Sequence, residues 1–148
     1  MTDLFSLVDD VLTKGYLLSL ATSDTHGLWV ADVSYVHRDL QIYWASHVLS
    51  RHSRALERNP FAAGSITLTQ KAGEEDISVQ MAGLARRVEE GSEDLLKKYR
   101  TKSGKADFVL HEGYAWYCLE PNLIDLIYEP EFGKEKQRVL PVRAFSAD

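Results

Sequence analysis

One cysteine, Cys118, stands in a chain of 148 residues. No internal disulfide is available, so the fold must rest on a hydrophobic core. That cysteine sits in an apolar, strand-like setting beside Trp116 and Tyr117 and reads as an inert core thiol. Long apolar runs are also missing. No segment approaches the length of a membrane span, and residues 1–10 mix apolar and acidic positions without the basic start and apolar stretch of a signal peptide. The expectation is a cytoplasmic protein with no membrane partner. Positive charge is scarce overall: the formal net charge is -5, and the basic clusters at 51–58 and 97–105 are local. Long-range attraction to a nucleic acid is therefore not expected, whereas a small anionic ligand is allowed. Three motifs are absent as well: the glycine-rich dinucleotide fingerprint, the paired histidines of a zinc protease helix, and a nucleophile elbow around any serine. His47 and His52 lie five apart across a loop, a poor metal pair, and no metal site is expected.

What is present is the composition of one globular domain, read here as 1–148, with 45% hydrophobic and 26% charged residues and no repeats. Leu4, Leu7, Val8, Val11 and Leu12 recur at helical spacing, and Gly15 stops that helix. Three strands follow at 16–22, 28–37 and 40–45, the first pair joined by a loop ending in Gly27 and the second by Arg38 and Asp39. A short helix from Ser50 to Arg58 comes next, stopped by Asn59 and Pro60. Further strands are expected at 61–69 and 77–88, where Gly83 marks a bulge or a close backbone approach. A helix capped by Ser92 follows, with Lys97, Lys98, Arg100, Lys102 and Lys105 as a solvated face. A long strand at 114–128, interrupted by Pro121, and a short one at 138–143 complete the chain. The class is mainly β with a few helices. Antiparallel strands at this spacing favour a small barrel or sandwich over a doubly wound parallel sheet.

The stretch 42–60 carries the chemistry. A strand gives way to Ser46, then to Ser50, Arg51, His52, Ser53 and Arg54 at the start of a helix. Guanidinium and imidazole groups in a first turn oppose the helix dipole, which favours acidic residues there. An anion resolves the conflict, because free backbone N–H groups, a serine hydroxyl and an arginine together suit a phosphate. The alternative is a solvated face with Arg51, Arg54 and Arg58 pointing into water.

These residues resemble the FMN-binding split barrels related to pyridoxamine 5'-phosphate oxidase. The likeness covers roughly 17–88: Leu18, Ser19, Leu20, Ala21 and Thr22 resemble the first strand, Gly27 the turn and 31–36 the second strand. Trp44, Ala45 and Ser46, then Ser50, Arg51 and His52, and finally Asn59 and Pro60 are similar to the family's cofactor segment, with His52 where a lysine is usual. The stretch 79–88 with Gly83 and Ala85 resembles the next barrel strand, and Phe132, Gly133 and Lys134 resemble the end of a small uncharacterised branch.

The resemblance implies a six- to seven-stranded antiparallel split β-barrel. It also implies a homodimer with FMN in a cleft between subunits and an oxidoreductase acting on a small molecule. By that likeness Ser50, Arg51 and His52 hold the FMN phosphate. Trp44 precedes them, Asp32, Val33, Ser34, Ala45 and Ser46 lie about the ring, and Gln80 and Trp116 reach in from the partner subunit. The flavin carries the redox chemistry, so the missing catalytic triad does not count against an enzyme. The arginine and histidine residues that grip pyridoxal phosphate in the namesake have no counterpart, and its specific activity is not expected. Two further readings stand beside this one. The first is a non-catalytic flavin- or haem-binding protein on the same scaffold, with His111 or His47 as an axial ligand. The second is an interaction module without a cofactor.

Overall fold

Alternating burial along each strand decides which side chains face inward. In β3 (Gln41–His47) the side chains of Ile42 and Trp44 join the main core, whereas Tyr43 and Ala45 pack into a second cluster on the opposite face. The computed structural model of the chain describes residues 3–141. β1 (Leu17–Asp24), β2 (Gly27–Arg38), β3, β4 (Phe61–Thr67), β5 (Ile77–Val88) and β6 (Tyr114–Tyr128) pair antiparallel, and contact between β3 and β6 closes them into a six-stranded barrel. A seventh strand, β7 (Gln137–Leu140), adds to β6 outside the closure.

The split originates in β6. From Tyr114 to Leu119 its free edge pairs with β3, and from Ile124 to Leu126 the same edge pairs with β7. Pro121, which has no N–H to donate, lies between the two halves opposite a register shift at Ala82 and Gly83. A Cβ on Gly83 would sit 2.0 Å from the Glu120 carbonyl oxygen, so the expected close approach is real and only glycine permits it.

Among the described residues, four helices decorate the barrel. α1 (Leu4–Lys14) is capped by Asp3, whose carboxylate accepts the Phe5 N–H at 3.0 Å, and it buries Val8, Val11 and Leu12 in the main core. α2 (Arg51–Arg58) follows β3, α3 (Ser92–Ser103) lies over the outer cluster of Val36, Tyr43, Trp116 and Cys118, and α4 (Glu129–Phe132) follows β6. Burial pushes the Cys118 thiol up to about 11, in keeping with an inert core position.

The expected mainly β barrel is therefore what forms, with local differences. β1 runs on to Asp24 and β4 ends at Thr67, and α4 had no sequence signal strong enough to place it. The cap of α3 is Gly91 in the left-handed region and not Ser92; Glu93 and Asp94 supply the favourable first-turn charge. The last strand ends at Leu140, and positions 142–143 of the expected strand lie outside the described residues. The α3 lysine face is only partly solvated. Lys102 donates to the Leu12 carbonyl at 3.0 Å and lies 3.8 Å over the Tyr35 ring, and Arg100 donates to the Phe108 carbonyl at 2.8 Å. No helix among the described residues is long and apolar enough to cross a membrane.

Candidate functional site

Two cavities flank the segment that joins β3 to α2. The first is a slot of about 270 Å³ lined by Ser34, Ala45, Tyr99, Phe108, Leu110, His111 and Tyr114. Ser34 and Ala45 are outward residues of β2 and β3, α3 contributes Tyr99, and the rest come from the loop after α3 and the start of β6. The loop is held down by the Arg100 bond to Phe108 and by contact of the Phe108 and Tyr99 rings, 4.4 Å between centroids. Ser34 Oγ and Tyr99 Oη lie 3.1 Å apart and form the polar element among apolar walls. His111 and His47 each meet Tyr114 edge-on, at 6.1 and 5.3 Å.

The second cavity is a groove of about 450 Å³ between α2 and the β1–β2 turn, lined by Asp24, His26, Leu49, Arg51, Arg54 and Arg58. Three guanidinium groups face one carboxylate. Arg51 lies 4.3 Å over the Trp29 ring and donates to the His26 carbonyl at 3.4 Å. Arg58 approaches Asp24 at 3.6 Å. Ala45 lines the slot and Leu49 the groove; four residues apart, their backbones are at most about 14 Å from one another.

The residues nominated from sequence separate into distinct places. Arg51 lines the groove, whereas Ser50 and His52 do not. Ser50 caps α2: its hydroxyl accepts the Ser53 N–H at 3.3 Å and donates to Ser53 Oγ at 2.7 Å. His52 turns back to β3, with Nε2 2.8 Å from Ser46 Oγ, and burial lowers its pKa from the ordinary value. The imidazole is therefore neutral near pH 7 and supplies no fixed positive charge.

Ser34 and Ala45 come together in the slot, but Trp44 and Ser46 alternate to the other face. Trp44 is 0% exposed and stacks on Tyr117 at 6.1 Å, and Val33 is likewise a core residue. Asp32 accepts the Ser19 hydroxyl at 2.7 Å. Gln80 lies on β5 and accepts from Lys136 at 2.9 Å. Trp116, 2% exposed, is enclosed by its own chain beneath Tyr99, so it backs the slot from below and presents no surface to a second subunit.

The sequence reading did not pick out Tyr99, Phe108, Leu110 and Tyr114 as lining a site, because they converge only through the packing of α3 and its loop. Arg54 and Arg58 had a visible signal: with Arg51 they stand at i, i+3 and i+7, one face of a helix. No cluster of His, Cys, Asp and Glu among the described residues could hold a metal ion.

No model of a known protein family matches the sequence, and no curated protein does. Solved structures match well. A heme binding protein from Mycobacterium smegmatis superposes with a TM-score of 0.79 at 16% identity, over 95% of this chain and 59% of that one. This chain thus spans less than two thirds of the length of that protein. A candidate pyridoxamine 5'-phosphate oxidase from Listeria innocua matches with a TM-score of 0.70 at 14% identity, over 84% of this chain and 98% of its own. An FAD-binding protein from Mesorhizobium loti matches with a TM-score of 0.64 at 15% identity, over 83% and 92% of the two chains. At such identities the likeness is one of fold. The barrel, its split at β6 and these superpositions together identify the chain as a protein of the pyridoxamine 5'-phosphate oxidase-like split-barrel fold.

Proposed function

We propose that the chain is a flavin-binding protein with FMN as cofactor, acting as an oxidoreductase on a small molecule and working as a homodimer. The observation that carries this reading is the pairing of an aromatic slot with an arginine groove across the β3–α2 segment. A flat ring with a phosphorylated tail has the two chemistries these cavities offer. The residues fit such a group. Phe108, Tyr114 and Leu110 give apolar walls, the Ser34 and Tyr99 hydroxyls give a hydrogen-bonding edge, and Arg51 gives a guanidinium already fixed over Trp29.

Bound there, FMN would supply two-electron redox chemistry. The protein's own contribution is positional. Phe108 and Leu110 keep water from the slot, Tyr99 and Ser34 orient a polar edge, and Arg51 anchors the anionic end. His52 and Ser50 act through the backbone, fixing the first turn of α2 against β3.

The dimer is supported by the open outer face of the barrel. Val30, Ala21, Ala63, Ala82 and Leu123 stand in one cross-strand row, bordered by Leu28, Phe61 and Leu84, and Leu28 is 81% exposed. A flat row of small side chains edged by large apolar ones suits a second copy related by a two-fold axis. The same outward face of β2 continues from Leu28 and Val30 to Ser34, so a partner covering it would also border the slot.

A second reading has one specific support. His111 lines the slot, and the Mycobacterium smegmatis protein on the same fold is named for heme binding. The spectrum of the purified protein after exposure to FMN and, separately, to hemin decides. A retained flavin spectrum supports the proposal; a Soret band lost in His111→Ala, with no flavin retained, replaces it by the haem reading.

A further inference from the structure

We infer that the arginine groove holds a diphosphate, as found in a nucleoside diphosphate or a dinucleotide, with Arg51 on one phosphoryl group and Arg54 and Arg58 on the other. The inference rests on the reading of the groove as the anionic end of the site and does not depend on what occupies the slot.

Spacing is the first argument. Arg51, Arg54 and Arg58 are successive members of one helix face and all three line the groove, so their Cα atoms span about 10 Å at 1.5 Å rise per residue. A single phosphoryl group gathers its oxygens around one point, where forked guanidinium groups meet it bidentately. Three in a row suit an anion that is itself extended.

Charge is the second. The carboxylate among the lining residues is Asp24, which already accepts the His26 N–H at 2.8 Å and approaches Arg58 at 3.6 Å. Among the described residues, Arg51 and Arg54 have no carboxylate within ion-pair distance. Three guanidinium groups against one carboxylate leave the groove with an excess of positive charge, which favours a polyanion.

Preorganisation is the third. Arg51 is clamped between the Trp29 ring and the His26 carbonyl and so does not lose its freedom on binding. The first turn of α2 carries no acidic residue to offset the helix dipole. An anion at the Arg51 end gains from both, and the tail of a longer anion runs down the helix towards Arg54 and Arg58. Leu49, 68% exposed, gives the rim an apolar shoulder on which the nucleoside can rest.

The test is calorimetric titration of the full chain with inorganic phosphate, pyrophosphate, AMP and ADP. ADP is expected to bind about tenfold more tightly than AMP, and pyrophosphate more tightly than phosphate. Arg54→Ala should weaken ADP binding far more than AMP binding and so remove most of that preference, and Arg54→Lys should restore only part of it, since lysine lacks the planar fork. Arg58→Ala is the poorer variant because Asp24, 7% exposed, would be left unpaired. Equal affinity for AMP and ADP, or a preference that Arg54→Ala leaves intact, would overturn the inference. The flavin reading fails separately: a preference for ADP with no uptake of FMN or riboflavin upholds the diphosphate groove and removes the flavin, and FMN uptake without preference for ADP does the reverse.

Discussion

His52 Nε2 lies 2.8 Å from the Ser46 hydroxyl, which ties the first turn of α2 to the end of β3 and turns the imidazole away from the arginine groove. Its pKa lies below the ordinary value because burial disfavours the charged form. The unfolded chain therefore takes up a proton near pH 6.5 that the folded chain refuses. Stability is lost as pH falls through that value towards the lower folded pKa. Compared with His52→Gln, the natural protein is expected to lose more stability between about pH 7.5 and 5. Urea midpoints at the two pH values provide the check.

Lys102 titrates at the other end of the pH scale. Burial against Tyr35 and the α1 carboxyl end lowers its pKa to about 8, so the folded state gives up its proton before the unfolded state does. The cost of holding the charge is fully present below pH 8. Stability should rise between about pH 8 and 10.5 relative to Lys102→Met, by no more than about 1 kcal/mol once solvent screening of the half-exposed amine is allowed for. Differences in melting temperature between the two proteins across this range measure it.

Gly83→Ala places a methyl group 2.0 Å from the Glu120 carbonyl oxygen, where backbone and not a flexible side chain must yield. The expected cost is about 3 kcal/mol, in the upper part of the range for single substitutions. Chemical denaturation detects it directly.

Removing the Trp29 ring frees Arg51 without touching any charge. Trp29→Ala is expected to weaken anion binding about threefold to fivefold, the equivalent of one exposed cation–π contact. Titration with FMN or AMP reads the effect, and Trp29→Phe should recover part of it.

Covering the open sheet face with charge should separate the proposed dimer. Ala63→Arg places a guanidinium in the middle of the row from Val30 to Leu123. Light scattering is expected to show the natural chain as a dimer and the variant as a monomer of unchanged helix and strand content.

Local chemistry made most of the barrel legible. Period-two burial, the glycine and proline punctuation and the Ser50 cap lie in the sequence, and the strands follow from them. Misreadings arose where burial is set by distant parts of the chain. Trp44, Ala45 and Ser46 are consecutive, yet a strand sends Ala45 to one face and its neighbours to the other. His52 reads from the sequence as a positive group of the first turn, but its partner is the Ser46 hydroxyl across the β3–α2 segment. The slot exists only because Phe108 folds onto Tyr99, a contact nine residues apart across an irregular loop that no periodicity announces. Lys102 reads as one lysine of a solvated face until Tyr35 and Leu12 are placed beneath it.

The most direct test of the two-cavity site is titration of the natural protein, Arg51→Ala and Phe108→Ala with both FMN and riboflavin. These ligands share the ring and differ in the phosphate. If the slot takes the ring and the groove the tail, FMN binds more tightly than riboflavin, Arg51→Ala lowers FMN affinity to the riboflavin level without affecting riboflavin, and Phe108→Ala weakens both. Equal binding of FMN and riboflavin, or FMN affinity indifferent to Arg51→Ala, would contradict the account.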